Sequence, residues 1–207
     1  FNHFLSTDDG KMLEQSGAIL DALVPLVRRE RPEFVVVTGD LTANGSTESH
    51  SEVAAALSAV EAAGVPVYVI PGNHDISNPW ASSFLAGVEA RVEAVDPKGF
   101  EELYGEFGYR EAVSRPEGGL SYLVEAVPGL RLMMLDTNRY EENDALGFPE
   151  SRGSLSPESL EWARRELDAP DAPAVLVFGH HNLVSHNALG YRDEIRVMAE
   201  VERNIEL

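Results

Sequence analysis

Apolar residues follow two rhythms along this chain. Short unbroken runs, Phe34-Val35-Val36-Val37, Val65-Pro66-Val67-Tyr68-Val69-Ile70 and Ala174-Val175-Leu176-Val177-Phe178, read as strands buried on both faces. Between them, apolar residues recur at helical spacing. Met12, Leu13, Ile19, Leu20, Leu23 and Leu26 predict a helix from Lys11 to Glu30, with Asp8 or Asp9 as its cap and Pro25 expected to kink or divide it. Val53, Leu57 and Val60 predict a second helix that runs to Ala63 and stops at Gly64, and Ser49 and Glu52 have capping-box spacing. Strand, helix, strand in this order predicts a βαβ unit with parallel strands.

After Asp75 the texture changes. Residues 76–118 read as a helical insertion, with Asp96-Pro97 starting a helix that carries Phe100, Leu103 and Phe107. Leu120 to Ala126 and Leu130 to Asp136 read as an antiparallel pair joined by Val127-Pro128-Gly129. A long polar loop spans 137–153, a length that often carries function. Ser156-Pro157 opens a helix with Leu160, Ala163 and Leu167 on one face, and a last helix is predicted from Asp193 to Leu207. There is no repeat and no linker, so residues 1–207 read as a single domain.

Charge narrows the partners. Sixteen basic against 35 acidic residues leave a net charge of −19, which argues against nonspecific binding to nucleic acid or to an anionic membrane. Cysteine is absent, which excludes disulfides and thiolate metal sites. No apolar run approaches the ~20 residues of a membrane span. The first residue is Phe rather than Met, and the natural N-terminus is expected to lie upstream.

The chemistry collects at the strand ends. The first run leads into Thr38-Gly39-Asp40, the second into Gly72-Asn73-His74-Asp75, and the third into Gly179-His180-His181. In an open α/β sheet, ligands bind at the carboxyl edge of the strands. Taken singly, each group has an ordinary reading: a turn Asp, a turn Asn-His, a core His. Together they point to a metal. Asp40 offers two oxygens, each able to serve one cation. Asn73 offers a neutral oxygen suited to hard or borderline metals. His74 suits a ligand or a general acid. Successive strand side chains alternate, so only one of His180 and His181 faces a given ion. Neither G-x-S-x-G nor G-x-G-x-x-G occurs to compete.

These blocks, in this order, resemble signature blocks of the calcineurin-like metallophosphoesterases. Leu135-Asp136-Thr137 and Gly153-Ser154-Leu155-Ser156 ahead of Glu161-Trp162 resemble the cyclic-nucleotide-phosphodiesterase-like branch. The resemblance implies a four-layer α-β-β-α sandwich with mixed sheets, two divalent metal ions, and hydrolysis of small-molecule phosphodiesters or phosphomonoesters by a metal-activated water. It implies that Asp40 bridges the metals, that Asn73 and His180 ligate the second, and that His74 stabilises the transition state or protonates the leaving oxygen. His181, Asn182 and His186 would line the substrate pocket, and Asn44 and His50, on the loop after Asp40, would also face the site.

Two blocks of the family pattern are missing, an opening Asp-x-His and a closing Gly-His-x-His, so truncation at both ends is expected. The residues present then hold at most one ion, at the second site. A mixed nitrogen and oxygen set suits Mn, Fe or Zn rather than Ca. The alternative is a noncatalytic binding or structural module that keeps the fold with an incomplete metal site. A nuclease is disfavoured by the acidic balance.

Overall fold

β1 (Val35–Val37) and β2 (Val67–Val69) pair in parallel, with Val35 opposite Val67, across a connection that contains helix α2 (Thr47–Glu61). This is the βαβ unit that the apolar rhythm predicts. The computed structural model describes residues 15–84, 87–169 and 173–182. A two-stranded ribbon, β3 (Ser82–Ser83) and β4 (Ala90–Arg91), precedes a short helix, α3 (Pro97–Tyr104). A second sheet follows in the order β5 (Tyr122–Val127), β6 (Leu130–Leu135), β7 (Ala174–Gly179). Its first pair is antiparallel and its second parallel. Short helix α4 (Asn143–Leu146) and helix α5 (Pro157–Leu167) lie between β6 and β7. The architecture is mixed α/β.

Alternation along β5 and β6 explains why these two strands are covered on both sides, whereas β7, expected to be buried on both faces, leaves Leu176 and Val177 46% exposed at the sheet edge. Tyr122, Val124, Leu132 and Met134 join a core with Val67, Tyr68 and Val69 of β2 and with Leu57 and Val60 of α2. Leu123, Met133 and Leu135 turn the other way, onto Trp162 and Ala163 of α5. The two sheets therefore share one core, and the ends of β1, β2 and β7 can reach one another.

Several expectations change. Helix α1 (Ser16–Glu30) runs through Pro25 without a break. Pro25 is exposed, so the lost backbone bond faces water. Lys11, Asp8 and Asp9 lie outside the described residues, as does the predicted helix 193–207. The cap of α2 is Ser46, whose hydroxyl accepts from the Ser49 N–H at 3.3 Å, rather than the Ser49/Glu52 box. The Asn44 amide oxygen accepts the Ser46 N–H at 3.2 Å and fixes the start earlier. Only part of 76–118 is helical: Ser82 and Ser83 form a ribbon, and their hydroxyls donate to Glu89 and Glu48.

His50 also departs from its expected place. It sits inside the core, edge-on to Phe100 and Tyr104. Its Nε2–H donates to the Asp75 carbonyl at 2.8 Å, and its Nδ1 accepts from the Tyr104 hydroxyl at 2.8 Å. Burial lowers its pKa to about 4 from 6.5. The folded chain keeps this ring neutral, while the unfolded chain takes up a proton below pH 6.5. Stability is therefore lost as pH falls from about 6.5 towards 4, by roughly 3 kcal/mol in full. Denaturant titrations at pH 7 and pH 5 should show this loss. His50→Leu should be less stable at pH 7 but should change less between the two pH values. Equal slopes for both proteins would contradict the assignment.

Candidate functional site

β1 and β2 end side by side, and their loops touch through two glycines. A Cβ on Gly39 would lie 2.4 Å from Gly72 N, and a Cβ on Gly72 would lie 2.1 Å from Asp40 N. Any side chain at either position would push the loops apart. Gly39 has φ +94°, and Asp40 itself sits in the left-handed region at φ +52°. Asp tolerates that region better than most residues, and such strain collects at functional sites.

Asp75 locks this junction. Its carboxylate is fully buried and accepts from the backbone N–H groups of Leu41 (3.1 Å), Thr42 (2.9 Å) and Gly72 (2.7 Å), and from the Thr42 hydroxyl (3.1 Å). Burial pushes the Asp75 carboxyl up to about 7, while its backbone donors pull it down and the nearby Asp40 charge raises it further. Four donors aimed at one carboxylate mark it as an acceptor, and that geometry favours its ionised form.

The third strand brings His180. Its Nδ1–H donates to the Thr38 carbonyl at 2.8 Å. In the neutral ring this leaves the Nε2 lone pair facing Asn73 Oδ1 at 3.2 Å and Asp40 Oδ1 at 3.6 Å. Three electron-donating atoms from β1, β2 and β7 thus meet in one place. A bonded N–H on the far side of a histidine is how proteins orient a metal-ligating ring. Metal bonds of about 2.0–2.2 Å place neighbouring donors about 3.0–3.5 Å apart, close to these separations. Such a mixed nitrogen and oxygen set could hold one divalent ion. It consists of one carboxylate, one amide and one imidazole; among the described residues no group of three or more His, Cys, Asp or Glu side chains stands ready to hold a metal.

His74 stands beside this set. Its backbone N–H donates to Asp40 Oδ1 at 3.2 Å, and its Nδ1–H donates to the Ala43 carbonyl at 2.9 Å. In the neutral ring Nε2 then carries the lone pair. A cleft of about 680 Å³ opens by Asp40 and His74, walled by Leu20, Leu23, Val53 and Phe84. That volume lies within the range of small-molecule sites.

The other predicted pocket residues divide. Asn44 borders the cleft, but its amide is engaged: Nδ2 donates to the Ser82 carbonyl at 2.8 Å, and Oδ1 holds Ser46. His181 turns away from Asp40 and Asn73 into a buried position, its Nδ1 2.8 Å from the Thr137 hydroxyl. Burial lowers its pKa to about 4. A Cβ on Gly153 would lie 2.6 Å from His181 Cβ, so that glycine lets the loop close on the ring. Asn182 is exposed, and His186 lies outside the described residues.

Pattern reading gave Asp75 and Asn138 no role. Asn138 Nδ2 donates to the Pro71 carbonyl at 2.8 Å and to Asp136 at 2.9 Å, which ties the end of β6 to the loop of β2. The adjoining Asp75 of the Gly-Asn-His-Asp block was the available signal for the first; the second has none.

Residues 13–205 match the family described as calcineurin-like phosphoesterase. The chain is 29% identical over 153 residues to a protein of Arcobacter nitrofigilis named "Probable glycerophosphodiester phosphodiesterase GpdQ", covering 74% of this chain and 43% of that protein. It is 25% identical over 175 residues to a "Probable cyclic nucleotide phosphodiesterase" of Fibrobacter succinogenes, covering 84% of this chain and 52% of that protein. The chain thus spans about half the length of these curated relatives.

Removing the lock should separate the loops. Asp75→Ala strands three buried N–H groups, and the expected loss of stability is about 3–5 kcal/mol. Asp75→Asn keeps one acceptor oxygen and should lose less. Denaturant midpoints measure both, and a loss below about 1 kcal/mol for the alanine variant would show that the donors find other partners.

Proposed function

This chain belongs to the calcineurin-like phosphoesterase family, and we propose that it hydrolyses phosphodiesters of small alcohols by metal-assisted attack of water. The family generally uses divalent metals and acts on phosphate esters. The observation that carries the reading is the meeting of Asp40 Oδ1, Asn73 Oδ1 and His180 Nε2, with the far side of the His180 ring fixed by the Thr38 carbonyl. Both relatives are named as phosphodiesterases, which favours diesters over monoesters. The four-layer sandwich that the family resemblance implies belongs to the same reading.

In this proposal Asp40, Asn73 and His180 hold the ion. A bound divalent ion supplies positive charge for the phosphoryl oxygens and an acidified water. His74 presents Nε2 to the cleft and offsets charge that develops on the phosphoryl or leaving oxygen. The apolar cleft wall accepts the organic part of the ester and limits water there. Asp75 and the glycine contact keep the donors from drifting, and small displacements matter: about 1 Å can cost ~10²-fold. No described helix is long and apolar enough to cross a membrane.

One observation favours the noncatalytic alternative: the described residues supply a single donor set rather than two. The two readings predict different results. Manganese-loaded protein should hydrolyse bis(p-nitrophenyl) phosphate, lose activity with a chelator, and regain it with metal. His74→Ala should lower kcat roughly 10²–10³-fold with metal content nearly intact. His180→Ala should lose metal and activity together. Equal loss of metal and activity in His74→Ala would make His74 a ligand. This chain should carry at most one tightly bound ion, and two per chain by elemental analysis would refute that.

A further inference from the structure

We propose that Trp80 is a positioning residue for His74 and that it couples the loop around Gly147 to that histidine; the inference rests on the role given to His74 above. His74 is held by its backbone and by one ring atom. Asp40 accepts its N–H, Asn78 Nδ2 donates to its carbonyl at 2.9 Å, and Ala43 accepts from Nδ1. A single bond at Nδ1 leaves the ring plane free to tilt about that contact, and Nε2 moves with the tilt. The Trp80 ring stands against this motion, with its centroid 5.9 Å from that of His74 and the planes at 58°.

Trp80 is itself fixed at both ends. Its backbone N–H donates to Asn78 Oδ1 at 2.9 Å, so one buried amide holds His74 through its nitrogen and Trp80 through its oxygen. Its indole Nε1–H donates to the Gly147 carbonyl at 3.1 Å. A second bond runs the same way: Asn143 Nδ2 donates to the Ile76 carbonyl at 3.2 Å, while Asn143 Oδ1 accepts from Glu150 N–H at 2.8 Å. The loop 143–150 is therefore stitched to 76–80, the segment that carries Trp80.

The other indole shows what a purely structural tryptophan looks like here. Trp162 is 1% exposed and sits in the core against Leu123 and Met133. Trp80 is only half-buried and lies beside the functional histidine. A large ring left partly in water at that place does more for His74 than for the core. The ring contact sets the imidazole angle, and the indole N–H links loop position to it. Loss of the ring should therefore act on the chemical step, and loss of the N–H alone should act much less.

The test uses the full manganese-loaded chain with bis(p-nitrophenyl) phosphate. Trp80→Phe keeps a ring against His74 and loses the N–H; kcat should stay within about twofold. Trp80→Leu should lower kcat about 10-fold at unchanged metal content. In the His74→Ala background, Trp80→Leu should cause no further loss of kcat, because residues acting as a unit are not additive. Tryptophan emission should also differ between wild type and His74→Ala, since Trp80 loses its neighbour and Trp162 does not; this arm does not depend on turnover or on the folding of a Trp80 variant. A full 10-fold loss repeated in the His74→Ala background would overturn the inference alone. So would equal kcat losses in the Phe and Leu variants, or unchanged emission. Wild-type kcat in His74→Ala would overturn the role of His74, and this inference with it.

Discussion

Asp75 lies beneath the junction of two strand loops, and its carboxylate gathers N–H donors from Leu41, Thr42 and Gly72. Two of these belong to the loop after β1 and one to the loop after β2. The bond set is the physical reason that residues 33 or more positions apart share one small volume. The interaction is costly to form, because an anion leaves water, and stable because four donors replace that water. The Gly39–Gly72 contact makes the same demand sterically. Backbone atoms from two chain segments approach where a methyl group has no room.

What sits on this lock follows from it. Asp40 is carried on a left-handed residue directly after the glycine contact, and Asn73 directly after the other glycine. His180 arrives from the second sheet, its ring turned by the Thr38 carbonyl of the first loop. With His180 neutral and donating through Nδ1, its Nε2 lone pair faces Asn73 Oδ1 at 3.2 Å and Asp40 Oδ1 at 3.6 Å with no proton between them. Such an arrangement repels itself and is relieved by a cation. The same loop carries His74 and, a few residues on, Asn78 and Trp80. The scaffold for the proposed ion and the scaffold for His74 are thus continuous.

Much of this was legible in the residues. The three apolar runs do form strands, but only β2 is fully buried: β1 is half-buried and β7 leaves Leu176 and Val177 exposed. Alternation along a strand places the two rings apart, His180 beside Asn73 and His181 beside Thr137. The misses have common causes. Ser46 displaced the predicted cap because a side chain outside the helix, Asn44, orients it. His50 was expected near the site, yet it lies in line with Val53, Leu57 and Val60 at helical spacing, and that stripe faces the core. Asp75 was visible only as a motif letter, since its partners are backbone N–H groups and carry no side-chain signature. Asn138 and Trp80 depend on contacts 67 residues away, which no local pattern encodes.

The central claim is that one ion sits where β1, β2 and β7 end. Anomalous X-ray diffraction from crystals of the protein grown with manganese tests it directly. The account predicts a single strong manganese peak within about 2.0–2.3 Å of Asp40, Asn73 and His180 side-chain atoms, by the usual lengths of such bonds. A manganese peak elsewhere on the molecule, or density for only water among those three side chains, would contradict it.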